Sequence, residues 1–137
     1  MKKIIYIPIL LFILTIISYG AEKEFRPQIE KVITSQFNAF KEKNLSLAYS
    51  YASPEIKRQY PSAEIFGKMA KNGYSDIWNS KSHTFEGFKL KGQMAFQMVT
   101  VTSSNNTINN YLYTLYNYNG DWVIAGVMRY RSDSMGV

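Results

Sequence analysis

The sequence predicts an α+β domain in which three to four amino-terminal helices pack on one face of a curved, four-stranded antiparallel sheet. In the first half of the chain, apolar residues recur every three or four positions, which is typical of amphipathic helices. After Gly73, apolar and polar residues alternate between short polar turns, which is typical of antiparallel strands. Helices followed by a run of strands are the pattern of an α+β fold.

The chain opens with a pattern typical of a secretory signal peptide. Two lysines precede an apolar run over residues 4–17, and small residues follow at Ser18 and Gly20. The run is shorter than the about 20 apolar residues that a membrane-spanning helix needs. We therefore expect cleavage before Ala21, no stable membrane anchor, and export of the remainder to the periplasm or the medium.

Residues 21–137 are enough for one domain with its own core, and their composition excludes several classes of function. The chain has no cysteine, so disulfides, lipidation at a thiol and thiolate metal sites are excluded. The formal net charge of +6 is spread along the chain, so we expect no nucleic-acid partner. We expect no metal and no cofactor, because a single histidine without cysteines or paired acids cannot make an ordinary zinc site.

The helices can be placed from their caps and their apolar stripes. The first is predicted to begin at Pro27, a residue suited to a first turn, and to end near Asn44, which tolerates left-handed geometry. Shorter helices are predicted over residues 45–51, from Pro54 after a capping Ser53, and over residues 63–71. The stripe of the first helix consists of Ile29, Val32, Ile33, Phe37 and Phe40.

Four strands are predicted over residues 83–90, 94–102, 107–117 and 122–130, with Asn119-Gly120 as a strong hairpin signal. A strand presents alternate side chains to opposite faces of a sheet. The set predicted to face the helices is Gln97, Val99, Val101, Tyr111, Tyr113, Leu115, Trp122, Ile124, Gly126 and Met128. The set predicted on the outer face is Phe96, Met98, Leu112, Tyr116, Val123 and Val127.

Several short motifs resemble, in their order, those of a bacterial family known as domain of unknown function 4864. These are Gln36 with Ala39-Phe40, Ala48-Tyr49, Ala52-Ser53-Pro54-Glu55-Ile56-Lys57, Phe66 and Met69 before Gly73-Tyr74, the alternation Gln97, Val99, Val101, and the closing Gly120-Asp121-Trp122-Val123-Ile124-Ala125-Gly126-Val127. The resemblance implies a nuclear transport factor 2-like fold, in which a bent sheet wraps a cone of helices. It implies no activity. The chain departs from the pattern at Lys43-Asn44, where the resemblance leads us to expect an acid.

Enzymes of this fold class, such as isomerases and dehydratases, use a carboxylate or a histidine deep in the cone, where burial tunes its pKa. Asp76 is a weak catalytic candidate, since it lies between Tyr74 and Trp78, and a turn-forming or helix-capping role explains it better. His83 is a second weak candidate, which we expect to be an exposed histidine at the edge of a strand.

A pocket is better supported than catalysis, because aromatic residues alternate along the strands that face the helices. The candidate ligand-binding residues are Tyr49, Tyr74, Trp78, Gln97 and Tyr113. Gln97 is either a ligand contact or a structural amide that bonds to the loop near Tyr74, since a buried amide must be hydrogen-bonded. We expect a non-catalytic module for a small apolar or amphipathic ligand or a protein partner, with an isomerase or hydratase that uses a cone carboxylate as the alternative.

The outer face of the predicted sheet is too apolar to remain in water. A one-sided antiparallel sheet normally carries polar residues on its solvent face. We therefore expect a homodimer, with two copies packed through this face.

Overall fold

Five helices precede a four-stranded antiparallel sheet in the computed structural model, which describes the backbone of residues 7–131 and the side chains of residues 18–131. The helices are α1 (Ile7–Lys41), α2 (Leu45–Ser50), α3 (Pro54–Gln59), α4 (Ala63–Gly73) and α5 (Ser75–Trp78). The strands are β1 (Ser80–Lys91), β2 (Met94–Ser103), β3 (Ile108–Tyr118) and β4 (Asp121–Tyr130), in that order across the sheet. The predicted α+β class is confirmed.

Helix α1 begins earlier than the sequence predicted. Pro27 lies inside the helix instead of in its first turn, and its missing N–H removes the usual helical bond to the carbonyl of residue 23. The turn before Pro27 is held by packing, because the ring of Phe25 meets Trp122 edge-on at 5.5 Å between centroids. The predicted signal peptide, residues 1–20, lies partly outside the described residues and stays a prediction. Within the described part of the chain, no helix combines the length and hydropathy that crossing a membrane requires.

The residue that ends α1 in left-handed geometry is Lys43, with φ of 56°, and not Asn44. The N–H of Lys43 bonds to the carbonyl of Phe40, and that of Asn44 to the carbonyl of Ala39, which is the Schellman pattern. Asn44 caps the next helix, because its Oδ1 accepts the N–H of Leu47 at 3.1 Å. Ser53 and Ser62 cap α3 and α4 in the same way, as predicted for Ser53.

Bulges interrupt the regular alternation of side chains in β1 and in β4. In β1, Glu86 and Gly87 lie between Phe85 and Phe88, whose partners Val99 and Gln97 are only two residues apart. In β4, Ala125 is the extra residue, since Thr114 pairs with Gly126 and Leu115 with Ile124. An extra residue reverses the alternation that follows it.

The β4 bulge explains two errors in the predicted faces. Val127 pairs with Tyr113 and lies on the helix side, whereas Met128 pairs with Leu112 on the outer face, where it is 60% exposed. Val123, predicted on the outer face and open to a partner, is only 8% exposed in the single chain. Its cross-strand neighbour Tyr116 reaches across to Glu55 of α3, with 2.6 Å between the hydroxyl and the carboxylate.

The core lies between α1 and the sheet. It includes Ile29, Ile33, Phe37, Phe40, Val99, Val101, Tyr113, Leu115 and Ile124, all nearly or fully buried. The segment after α2 attaches to β4, because the N–H of Ser53 bonds to the carbonyl of Ile124 and the N–H of Ile124 bonds to the carbonyl of Tyr51. At the other side of the sheet, Arg26 and Lys41 of α1 donate to the carbonyls of Glu86 and Lys81 in β1.

Candidate functional site

A cavity of about 280 Å³ lies between the inner face of β3 and β4 and the helical layer. Its wall is formed by Gln36, Phe40, Ala52, Ile56, Gln59, Tyr60, Phe66, Met69, Ala70, Tyr74, Ile77, Tyr113 and residues 124–127. The volume is close to the lower end of the range usual for small-molecule sites. The wall is mainly apolar and aromatic, and none of its described side chains is charged or a histidine.

The β4 bulge shapes the sheet side of this cavity. Residues 124–127 all line it, whereas a regular strand would present only alternate residues. The helix side includes residues of α1 and α5, together with the shorter helices α3 and α4, which are capped by serines and joined by residues 60–62.

Two of the polar side chains of the wall, Gln36 and Tyr74, have hydrogen-bond partners within the protein. The amide nitrogen of Gln36 donates to the carbonyl of Ala48 at 3.1 Å, and the side chain is almost fully buried. The hydroxyl of Tyr74 donates to the carbonyl of Val127 at 2.9 Å. These bonds hold α1 against α2 and the start of α5 against β4, so they fix the shape of the wall.

Tyr113 is the exception among the buried polar groups of the wall. The residue is 0% exposed, and its hydroxyl has no hydrogen-bond partner. Burial raises the pKa of this hydroxyl far above its usual range, and the nearby phenols of Tyr111 and Tyr74 raise it further. The hydroxyl therefore stays protonated and can donate. A buried donor without a partner costs about 1–3 kcal/mol.

Of the five residues proposed from the sequence as ligand contacts, Tyr74 and Tyr113 line the cavity. Tyr49 lies behind the wall, where its hydroxyl donates to the carbonyl of Tyr60 at 2.6 Å and its ring packs on Phe66. Trp78 packs on Phe40, and its ring makes a cation–π contact with Lys43, whose ammonium lies 4.2 Å from the ring centroid. Through these contacts, Tyr49 and Trp78 stabilise the packing of the helices on one another and do not contact the cavity.

Gln97 also lies away from the cavity and fills the β1 bulge. Its amide nitrogen lies 3.3 Å from the carbonyl of Glu86, 3.2 Å from that of Gly87 and 2.9 Å from that of Met98. The side chain is fully buried, and its Oε1 has no partner. The structural role considered from the sequence is therefore the one supported, although the partner is the bulge and not the loop near Tyr74.

Asp76 belongs to a polar cluster beside the cavity and does not line it. Its Oδ2 accepts from the amide of Asn109 and, at 3.1 Å, from the hydroxyl of Tyr111. Arg129 donates to the other side of the Asn109 amide. Burial and then the charge of Asp76 raise the pKa of Tyr111 to about 12, which keeps the phenol protonated as the donor. This arrangement ties the short helix α5 to β3.

The expectation of an exposed His83 was wrong. The residue faces α1 and is half-buried, since its ring stacks on Phe37 at 4.5 Å between centroids and meets Phe85 edge-on at 5.2 Å. Its Nε2 lies 3.1 Å from the hydroxyl of Thr34. Burial, followed by the charge of Lys41, lowers the pKa of His83. The pairing of His83 with Val101 places it on the inner face, away from the cavity.

Sequence reasoning missed several wall residues, notably Gln36, Ile56, Met69 and Val127. Gln36 had a readable signal, because it lies three residues after Ile33 and four before Phe40, on the apolar stripe of α1. Val127 had none, since its orientation depends on the β4 bulge.

The chain thus belongs to a class of small α+β domains in which a cavity lies between a helical layer and an antiparallel sheet. Among the described residues, no group of three or more histidines and acids is placed to hold a metal ion. The chain belongs to the family described as Domain of unknown function (DUF4864), which matches residues 22–137. This finding confirms the family resemblance found in the sequence. No curated protein matches the chain with significance.

Proposed function

We propose that this protein is an exported, non-catalytic module that binds a small apolar or amphipathic molecule in the cavity. The observation that carries the proposal is the pairing of an apolar, uncharged wall with one fully buried hydroxyl that has no partner. Binding sites of this kind combine an apolar lining with a few polar groups that orient the ligand.

The alternative of an isomerase or hydratase requires a carboxylate in the cavity. In the part of the chain that the structure describes, the wall contains no aspartate or glutamate, and Asp76 is already bonded to Asn109 and Tyr111. Glu86, an acid in the β1 bulge, has an exposed side chain. The geometry therefore favours binding over proton transfer.

A cavity-filling variant tests the proposal. The probe is 2-ethylnaphthalene, an apolar bicyclic molecule, titrated by its own fluorescence. Ala70 lines the cavity and is nearly buried, so Ala70→Leu should reduce binding at least tenfold by occupying the space. Lys68→Leu, on the exposed face of the same helix, serves as the control and should bind as the wild type does. Absence of binding to the wild type, or equal binding to both variants, would contradict a ligand site in the cavity.

A second measurement looks for the natural ligand and for export together. Native mass spectrometry of protein from its own periplasm or medium should show a mature chain that begins at Ala21 or Glu22 and carries a small molecule. An intact amino terminus in the membrane fraction would contradict export.

We also propose that the fold is nuclear transport factor 2-like. The support is the combination of a long first helix, short helices α2 to α5, and a bulged four-stranded meander that encloses a cavity. Superposition of an experimental structure on members of that fold class tests the assignment.

The outer sheet face supports the proposal of a homodimer. Phe96, Met98 and Leu112 are only half-buried there, and Met128 is largely exposed. Leu112→Glu should turn a dimer into a folded monomer, as measured by light scattering at micromolar concentration. Val123 is unsuited to this test, because its own chain covers it. A native chain that is monomeric under these conditions would overturn the proposal.

A further inference from the structure

We infer that the ligand of this cavity is an uncharged bicyclic-sized molecule and that the Tyr113 hydroxyl donates a hydrogen bond to its acceptor group. The inference rests on the proposed function and narrows the chemistry of the ligand. It is based on the charge of the wall, on the hydrogen bonds that its buried polar groups make or lack, and on the volume of the cavity.

The wall offers no partner for an ion. Among the residues whose side chains the structure describes, none that lines the cavity is Asp, Glu, Lys, Arg or His. An ionised carboxylate or ammonium that leaves water needs a countercharge and several hydrogen bonds, and without them its transfer is strongly unfavourable. Fatty-acid anions and amines are therefore poor ligands, whereas ketones, ethers and esters lose little when they enter.

Tyr113 is the buried donor that remains for such a ligand. Tyr74 and the amide nitrogen of Gln36 already donate within the protein. The hydroxyl of Tyr113 has no partner, and its raised pKa keeps the proton on the oxygen. A ligand acceptor that reaches this hydroxyl satisfies a donor that the ligand-free protein leaves unsatisfied.

The hydroxyl is shielded in the ligand-free protein, so binding requires a small movement of the wall. It has almost no surface accessible to water, although Tyr113 itself lines the cavity. Tyr60 and Met69 are half-buried wall residues on the side of the short helices, so we expect the movement at their side chains.

The size of the space limits the ligand as well. A volume of about 280 Å³ is nearly twice the roughly 150 Å³ of an engineered apolar cavity that holds benzene. Two fused rings with one short substituent fit this space.

Three probes of similar shape test the hydrogen bond from Tyr113 and the preference for an uncharged ligand separately. They are 2-acetylnaphthalene, which carries a carbonyl acceptor, 2-ethylnaphthalene, which lacks it, and 2-naphthoate, which carries a charge. The wild type should bind the ketone about tenfold more tightly than the ethyl compound, in line with one buried hydrogen bond. It should bind naphthoate more weakly than both. The carbonyl stretch of the bound ketone should lie at a lower infrared frequency than in an apolar solvent.

Tyr113→Phe should have two opposite effects. Affinity for the ketone should fall about tenfold to that of the ethyl compound, with loss of the infrared shift, because the donor is gone. The ligand-free variant should also melt about 4 °C higher than the wild type, because an unsatisfied buried hydroxyl has been removed. Tyr111→Phe is the matched control, since Tyr111 bonds to Asp76 and does not line the cavity, and it should keep the preference for the ketone.

The outcomes distinguish this inference from the proposed function. If the ketone and the ethyl compound bind equally, or if Tyr113→Phe leaves the preference for the ketone unchanged, the role of Tyr113 is overturned while the cavity remains a binding site. If naphthoate binds as tightly as the ketone, the uncharged ligand is overturned. If no probe binds the wild type, the proposed function fails and this inference fails with it.

Discussion

The bulge in β1 and the bulge in β4 interrupt the same sheet, yet one is filled and the other lines a cavity. At the β1 bulge, the buried amide of Gln97 contacts the carbonyls of Glu86 and Gly87, and Phe85 and Phe88 on either side pack against the core. At the β4 bulge, residues 124–127 line the cavity, and one buried polar group of the same wall, the hydroxyl of Tyr113, has no partner.

The difference shows what turns a strand irregularity into a site. A bulge leaves backbone groups without ladder partners and re-aims the side chains beside it. In β1 a side chain from the neighbouring strand satisfies those groups, so the result is rigid core. In β4 the helical layer contacts the strand at separate points, including the bond from the hydroxyl of Tyr74 to the carbonyl of Val127, and a space remains between them, so the result is a hollow.

The largest expected effect on stability comes from removing the hydrogen bonds that Gln97 makes in the β1 bulge. Gln97→Leu keeps the volume of the side chain but removes the donor from the two bulge carbonyls, and it should lower the free energy of unfolding by about 3 kcal/mol. Urea denaturation measures the change. Gln93→Leu, in the exposed turn before β2, is the control and should change stability by less than about 0.5 kcal/mol. Equal stability of the two variants would remove the distinction between the bulges.

A matched pair of valines compares the two halves of the inner face directly. Val99→Ala, in the filled half, opens a void in close-packed core and should cost about 2 kcal/mol. Val127→Ala, in the cavity wall, removes a side chain that is already half-exposed and should cost less than about 1 kcal/mol. Thermal unfolding of both variants checks the order. A larger loss at Val127 would mean that the space beside β4 is closed in solution.

The smallest effect is a change in the pH dependence of stability. The lowered pKa of His83 means that the unfolded chain binds the proton more readily than the folded chain. The stability contributed by the neutral ring is therefore present above the ordinary pKa of about 6.5 and is lost as the pH falls below it. His83→Phe keeps the stack on Phe37 and cannot titrate, so stability should fall less between pH 7 and pH 5 than in the wild type. Parallel denaturation curves for the two proteins would contradict the burial of His83.

The regular parts of this fold could be predicted from the sequence because they follow periodic patterns. Strand positions, the Ser53 cap and the Asn119-Gly120 turn, where both residues have positive φ, depend on local chemistry and were predicted within a few residues. The start of α1 was missed because Pro27 was expected in a first turn, whereas the helix continues through it and the preceding turn packs on Trp122 through Phe25. Helix α5 was missed because four residues are too few to show a period.

The candidate site was only partly predictable for the same reason. Tyr113 was predicted from the alternation along β3, and Tyr74 from its position directly after α4. Both residues line the cavity. The inward turn of Val127 depends on one extra residue in β4, which leaves no periodic signal in the sequence. Whether a buried polar group has a partner is a property of the assembled structure. Gln97 and Tyr113 therefore looked alike in the sequence and differ in the fold.

The contacts along the two outer strands have a consequence for how the protein avoids self-association. A strand at the margin of a sheet offers unpaired backbone groups that can recruit a strand from another chain. On β4 these groups are engaged by the segment around Ser53 and by the hydroxyl of Tyr74. On β1 the carbonyls of Lys81 and Glu86 accept hydrogen bonds from Lys41 and Arg26. Charged side chains at the edge of a sheet also disfavour the pairing of a further strand. Edge-to-edge growth into fibrils is thus disfavoured at both margins, and aggregation during refolding should rise when Arg26 and Lys41 are neutralised.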